Sequence, residues 1–158
     1  MYSCELLKLE LTAGKRRQLV DAYLALTAWP DALPALKALQ SAGLRLALLS
    51  NATPQMLEAG IRNAGLAGLF EHVLSTDRIG TCKPDPRAYR MAIDAFGLKR
   101  EEILFVAFAG WDAGGAKLFG YPTFWVNRMN LPAEQLGVVA DASGQAMSDL
   151  LAYVNALG

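Results

Sequence analysis

Short apolar runs alternate with helix-length segments along most of this chain, and that alternation restricts its fold more than any other feature. Leu44 to Leu49 reads LRLALL, His72 to Ser75 reads HVLS, Ile103 to Phe108 reads ILFVAF, and Thr123 to Val126 reads TFWV. The stretches between them carry helix start and stop signals. Thr53 and Pro54 suit the cap and first residue of a helix reaching about Ala64. Pro86 to Phe96 reads as a second helix closed by Gly97, and Ala113 to Phe119 as a third after a glycine-rich turn. Strands this short, separated by helices, form βαβ units and a parallel sheet.

The flanks are more helical. Residues 4–11 fit either a helix tail or a short strand. Thr12 can cap a helix from about Ala13 to Leu26, with Leu19, Val20, Tyr23, Leu24 and Leu26 as its apolar stripe. Trp29-Pro30-Asp31 breaks that helix, and a further one from Ala32 to Ser41 stops at Gly43. The last helix spans about Ser148 to Leu157.

Composition narrows the partners. With 158 residues, 53% of them hydrophobic, the chain can bury a core and supply a sheet covered on both faces. Lys and Arg total 15, as do Asp and Glu, so no electrostatic footprint for nucleic acid or anionic lipid is expected. Lys15-Arg16-Arg17 reads as a solvated helix face. No stretch approaches the ~20 apolar residues of a membrane span. The N-terminus lacks the pattern of a signal peptide. Cys4 and Cys82 lie far apart and outside any metal-ligand spacing, which points to a reducing, cytoplasmic setting and no metal.

In open parallel sheets, ligands bind beyond the carboxyl ends of the strands, where strand order reverses. Ser50-Asn51 leaves one strand and opens a helix, placing a hydroxyl, an amide and free backbone N–H groups where an anion is favoured. A plain turn and cap is the other reading. Lys83 sits in Gly80-Thr81-Cys82-Lys83-Pro84-Asp85-Pro86, a loop stiffened by two prolines. There it either holds a neighbouring carboxylate ionised or lies on the surface. Asp112, just past the ILFVAF strand, can cap the next helix, pair with Lys83 or orient a water. The glycines around it make no dinucleotide fingerprint. His72 has no partner in any motif, and Trp29, Trp125 and Cys82 read as packing residues.

In their order, LLSNATPQML, TCKPDPRAYRMA and ILFVAFAGWDAGGAKLFGYPTFWVNR resemble the haloacid dehalogenase superfamily, most of all its 2-haloacid dehalogenase branch. The resemblance runs from about Leu19 to the C-terminus. It implies a Rossmann-like α/β core with a parallel sheet and flanking helices over residues 31–158, and a remnant of a helical cap and linker over residues 1–30. The implied chemistry is displacement of halide from a 2-haloalkanoic acid by an aspartate, giving an ester that water hydrolyses. No cofactor or metal is implied. Carried over by motif, Ser50 would bind the substrate carboxylate, with Tyr89 supporting that site. Asn51 and Trp111 would cradle the leaving halide. Lys83 would hold the nucleophile ionised, and Asp112 would position Lys83 and the hydrolytic water.

Two departures qualify that expectation. The family's nucleophile ends its first core strand in D-x-x-G-T, whereas the only aspartates here before Ser50 are Asp21 and Asp31, neither after a strand-like run. The first core strand, most of the cap and the halide-binding arginine are therefore expected to be missing by N-terminal truncation, and the isolated chain is expected to be inactive. The absent strand would lie between LRLALL and ILFVAF. Their unpaired edges would then pair with each other, borrow a strand from another copy in a homo-oligomer, or belong to a longer protein. The second departure is Ala107-Phe108-Ala109, where the branch has serine, serine and asparagine. Superfamily phosphatases place G-D-x-x-x-D at this turn, with the first Asp on magnesium. Phe108 stands at that position, and a phenyl ring cannot ligate a cation that needs oxygen. A phosphatase fragment and a non-catalytic binding or assembly domain are the alternative readings.

Overall fold

The computed structural model describes residues 2–157, with side chains from Cys4 onward. The first helices are α1 (Tyr2–Leu6), α2 (Ala13–Ala22) and α3 (Ala32–Ser41). Thr12 caps α2, its hydroxyl accepting the Lys15 N–H, but the helix passes into a 3₁₀ turn at Tyr23–Ala25. That turn is tied to the core by the Asn63 amide, which donates to the Leu24 and Leu26 carbonyls.

The alternating region follows as β1 (Ala47–Ser50), α4 (Pro54–Asn63), β2 (His72–Ser75), α5 (Pro86–Phe96), β3 (Phe105–Ala107), α6 (Gly110–Phe119), β4 (Thr123–Val126), β5 (Ala142–Gly144) and α7 (Met147–Ala156). The chosen residues explain the boundaries. Thr53 accepts the Met56 N–H with Pro54 at the first position of α4, and Gly97 closes α5 in the left-handed region that glycine tolerates.

All pairings are parallel. β1 pairs with β2 from Ala47 opposite His72 to Ser50 opposite Ser75. β3 pairs with β4, Phe105 opposite Thr123, and β4 pairs with β5, Phe124 opposite Ala142. Two sheets result, β1-β2 and β3-β4-β5, and among the described residues no ladder joins β1 to β3. The two free edges have therefore not paired with each other.

Packing nonetheless holds the sheets side by side. On one face Leu49 lies against a cluster of Tyr89, Phe105, Ala107, Tyr121 and Trp125. On the other, Leu46 and Leu104 pack against Leu39, Phe124, Val126 and Leu150. Phe105 and Ala107 of β3 and Trp125 of β4 point to the first cluster, Phe124 and Val126 of β4 to the second, while Val106 is exposed. Strand order thus reads β2-β1, an unpaired gap (the slot), then β3-β4-β5. The chain winds outward in opposite directions from that slot, which makes it the switch point of the sheet.

The two-residue fork of Arg128 on Asp31, at 2.7 and 3.0 Å, fastens the start of α3 to the loop after β4. The same carboxylate accepts the Met147 N–H at the start of α7, and Arg128 lies over the Trp29 ring at 4.9 Å. Because α2 already ends at Ala22, Trp29-Pro30-Asp31 does not break that helix as expected and serves instead as a fastening point ahead of α3.

Candidate functional site

The residues singled out in the sequence gather at the carboxyl ends of β1 and β3, on either side of the slot. Lys83 reaches into this region from the loop ahead of α5. Only 10% of its side chain is exposed, so it is not a surface lysine. Its ammonium donates to Asp112 Oδ2 at 2.5 Å and to the Leu49 carbonyl at 3.3 Å, and lies 5.5 Å from the centre of the Phe105 ring. An ammonium has three N–H donors, and these contacts occupy two.

Asp112 occupies the first turn of α6 and makes no helix-capping bond. Its second oxygen, Oδ1, accepts the Tyr89 hydroxyl at 2.9 Å. Both carboxylate oxygens are therefore engaged, one by a cation and one by a phenol. Of the roles open to Asp112 in the sequence, the pairing with Lys83 is formed and the helix cap is not.

The resemblance implies that Tyr89 supports the substrate carboxylate site; in the structure its partner is Asp112. Tyr89 is fully buried on the inner face of α5, and its hydroxyl is spent on Asp112. Burial, reinforced by the neighbouring Asp112 carboxylate, pushes its phenol far above the ordinary tyrosine range. It lies beneath Asp112 and acts on it. Gly115 makes that approach possible, since a Cβ there would collide with the Tyr89 hydroxyl and come within 3.0 Å of Pro84. Tyr121 continues the buried stack, donating to the Tyr89 carbonyl at 2.6 Å. Burial raises its phenol to about 12.

Asn51 holds the Lys83 loop in place. Its Oδ1 accepts the Lys83 backbone N–H at 2.7 Å and the Thr76 hydroxyl at 3.2 Å, while Nδ2 donates to the Lys83 carbonyl at 3.3 Å. Across this clamp the Lys83–Pro84 peptide is cis. One Nδ2 hydrogen has no partner among the described residues. Ser50, at the end of β1, accepts the Ala52 N–H at 3.1 Å and stays half-buried beside the start of α4. Trp111 stands in the first turn of α6, 42% exposed. Phe108 is still more exposed at 54%, directly after β3.

The loop itself is built by Asp85, which caps α5 by accepting the Arg87 N–H and bonds the Arg87 guanidinium and the Thr81 hydroxyl. The Arg87 guanidinium holds the Asp85 carboxyl well below the usual carboxylate range.

Sequence reasoning gave no role to Thr76 or Ser75, both buried at the end of β2. Thr76 orients Asn51, and the Ser75 hydroxyl donates to the Ala52 carbonyl at 2.6 Å. Their position directly after a short apolar run, like that of Ser50-Asn51, was the available signal. Chemically, the arrangement provides a nearly buried cation with a spare donor, a carboxylate fixed beside it, and hydroxyl and amide groups at a helix N-terminus.

Residues 1–120 match the model of the haloacid dehalogenase-like hydrolases. The (S)-2-haloacid dehalogenase of Pseudomonas sp. (strain YL) is 44% identical over 89% of this chain and 60% of its own length. Haloacetate dehalogenase H-2 of Moraxella sp. (strain B) is 39% identical over 95% of the chain and 67% of its own. The chain thus spans about two thirds or less of these relatives. Among solved structures, the L-2-haloacid dehalogenase RSc1362 superposes with a TM-score of 0.90 at 45% identity, covering 98% of this chain and 68% of that one.

Proposed function

The chain belongs to the haloacid dehalogenase-like hydrolase family, and from that premise we propose that it carries the cation-and-anchor half of a 2-haloacid dehalogenase site. The observation that carries this reading is the Lys83–Asp112 pair, nearly buried and bonded to the Leu49 carbonyl near the carboxyl end of β1. Both Asp112 oxygens are occupied, which makes it a poor nucleophile; the family resemblance puts the attacking carboxylate at the end of a strand between β1 and β3. The spare Lys83 donor would keep that carboxylate ionised. Ser50 and the N-terminus of α4 would receive the carboxylate of a small 2-haloacid. Trp111 and the free Asn51 N–H would border the departing halide. Asp112, seated by Tyr89, would hold Lys83 and direct the water that opens the ester.

Residues 1–30 fit the remnant of a helical cap, and the free edges of β1 and β3 are surfaces through which two copies would associate. Cys4 and Cys82, both free thiols, suit a cytoplasmic setting.

The test is halide release from 2-chloropropionate. The 158-residue chain alone should release none above the uncatalysed rate. Adding a polypeptide with an apolar strand that ends in aspartate should restore release, and Lys83→Ala should abolish it again. Turnover by the chain alone, or reconstituted turnover indifferent to Lys83→Ala, would refute the reading.

A further inference from the structure

The turn that carries Trp111 and Asp112 has no polar side chain of its own to hold it. Ala107, Phe108 and Ala109 precede α6, and Ala109, its N-cap residue, makes no side-chain capping bond. The β3 ladder has already ended at Ala107, so the Phe108 carbonyl falls outside it. A turn with these residues needs an anchor from elsewhere in the fold.

We infer that Trp125 is that anchor, a positioning residue whose indole N–H fixes the Phe108 carbonyl and, through it, the direction of Trp111 and the seat of Asp112. Trp125 lies on β4 directly opposite Ala107 and is 7% exposed. Its Nε1 donates to the Phe108 carbonyl at 2.9 Å. The same ring limits the next backbone unit. A Cβ at Gly110 would lie 3.3 Å from Trp125 Cζ2 and 3.4 Å from Glu134 Cγ, so Gly110 passes between those two side chains. The turn is therefore bonded at Phe108 and confined at Gly110. Two residues later Asp112 meets Lys83, so small rotations of the turn would be felt at that pair.

Packing alone would not need the N–H. Trp29 and Trp111 provide the contrast, being 59% and 42% exposed, with no indole hydrogen bond among the described residues. The inference rests on the reading of Trp111 and Asp112 as site residues, but its test requires no turnover, so it can fail independently of that reading.

The experiment is nuclear magnetic resonance of the full chain, unmodified and with Trp125 replaced site-specifically by benzothienylalanine. That analogue keeps the fused ring and puts sulfur in place of the N–H. In the unmodified chain, exchange of the Trp125 indole proton should be at least about tenfold slower than that of Trp29, as a retained hydrogen bond requires. The analogue should shift the amide resonances of Phe108 to Asp112, the Trp111 indole and the Lys83 ammonium, leaving α4 and α7 unmoved. Equal exchange at Trp125 and Trp29 would overturn the inference. So would an analogue-bearing chain whose Phe108–Asp112 and Lys83 resonances stay in place, because that result assigns Trp125 to packing only. If the analogue prevents folding, a scalar coupling across the hydrogen bond between Trp125 Nε1 and the Phe108 carbonyl carbon in the unmodified chain decides, its detection supporting the anchor and its absence overturning it.

Discussion

Replacing Asp112 by asparagine keeps the shape of the side chain and removes the charge that answers Lys83. The Lys83 ammonium, with 10% of its side chain exposed, would be left with the Leu49 carbonyl at 3.3 Å and an amide in place of a carboxylate at 2.5 Å. Uncoupling a buried pair by removing one partner costs about 3–5 kcal/mol, against about 0–1 for an exposed pair. Residual bonding to the amide oxygen puts Asp112→Asn at the lower end, about 3 kcal/mol. For a chain of this length that lowers Tm by roughly 6–12 °C. Lys83→Met should cost a similar amount, because it strands the Asp112 carboxylate with only the Tyr89 hydroxyl. The double variant removes both charges, so its cost should fall short of the sum by about 2–3 kcal/mol. Urea unfolding of the four proteins, with equal m values as the check on two-state behaviour, measures that coupling. Single variants each costing under about 1 kcal/mol, with additive effects, would mean that the pair behaves as an exposed one and would refute the argument.

The buried phenols should set the alkaline limit. Tyr121 is raised to about 12 and Tyr89 is raised further, chiefly by burial, so the folded chain keeps protons that the unfolded chain releases above a pH of about 10. Their stabilisation is complete below that pH and is lost as pH rises through the folded values, at about 1.4 kcal/mol per pH unit for each phenol. Phenolate absorbance should report at most three of the five tyrosines ionising before unfolding, and full ionisation at a pH of about 11 with the fold intact would contradict this. Gly115→Ala places a Cβ against the Tyr89 hydroxyl and should cost about 1–3 kcal/mol, with loss of the Tyr89–Asp112 bond. A variant as stable as the parent, its Tyr89 resonances unchanged, would count against the close packing described at Gly115.

The alternating strands and helices were legible because each relied on local signals: Thr53-Pro54 at the start of α4, Gly97 after α5, and the apolar TFWV run buried throughout as β4. β5 escaped notice because Ala142-Ser143-Gly144 has no apolar pattern, and only the ladder to β4 makes it a strand. α6 begins at Gly110, three residues before the expected start, since packing against Trp125 and Tyr89 favours small residues there over good helix formers. LRLALL contributes a strand only from Ala47, and ILFVAF only from Phe105 to Ala107. The candidates Asn51, Lys83, Tyr89 and Asp112 were legible in the sequence, and the structure joins them in one network. The bonding within it was not legible, because the Tyr89–Asp112 and Asn51–Lys83 contacts join residues 23 and 32 positions apart that no local pattern connects.

The same bonding bears on how a strand would be recruited to the slot. Lys83 and Asp112 cancel one another, so a carboxylate arriving at the ends of β1 and β3 meets no net charge from the pair. Its remaining attractions are the spare Lys83 donor and the N-terminus of α4, the latter worth only about 0.3–1 kcal/mol at an exposed position. That is too little to order an extended segment, whose backbone costs about 1–2 kcal/mol per residue to fix. The binding energy must therefore come from the two unpaired edges, which offer ladder bonds on both sides at once, and from the apolar clusters above and below them. Pairing would place the carboxylate, and Lys83 would act on it only after it had been placed. Asp112 would then have to share its cation, with the Tyr89 hydroxyl holding the oxygen that Lys83 does not.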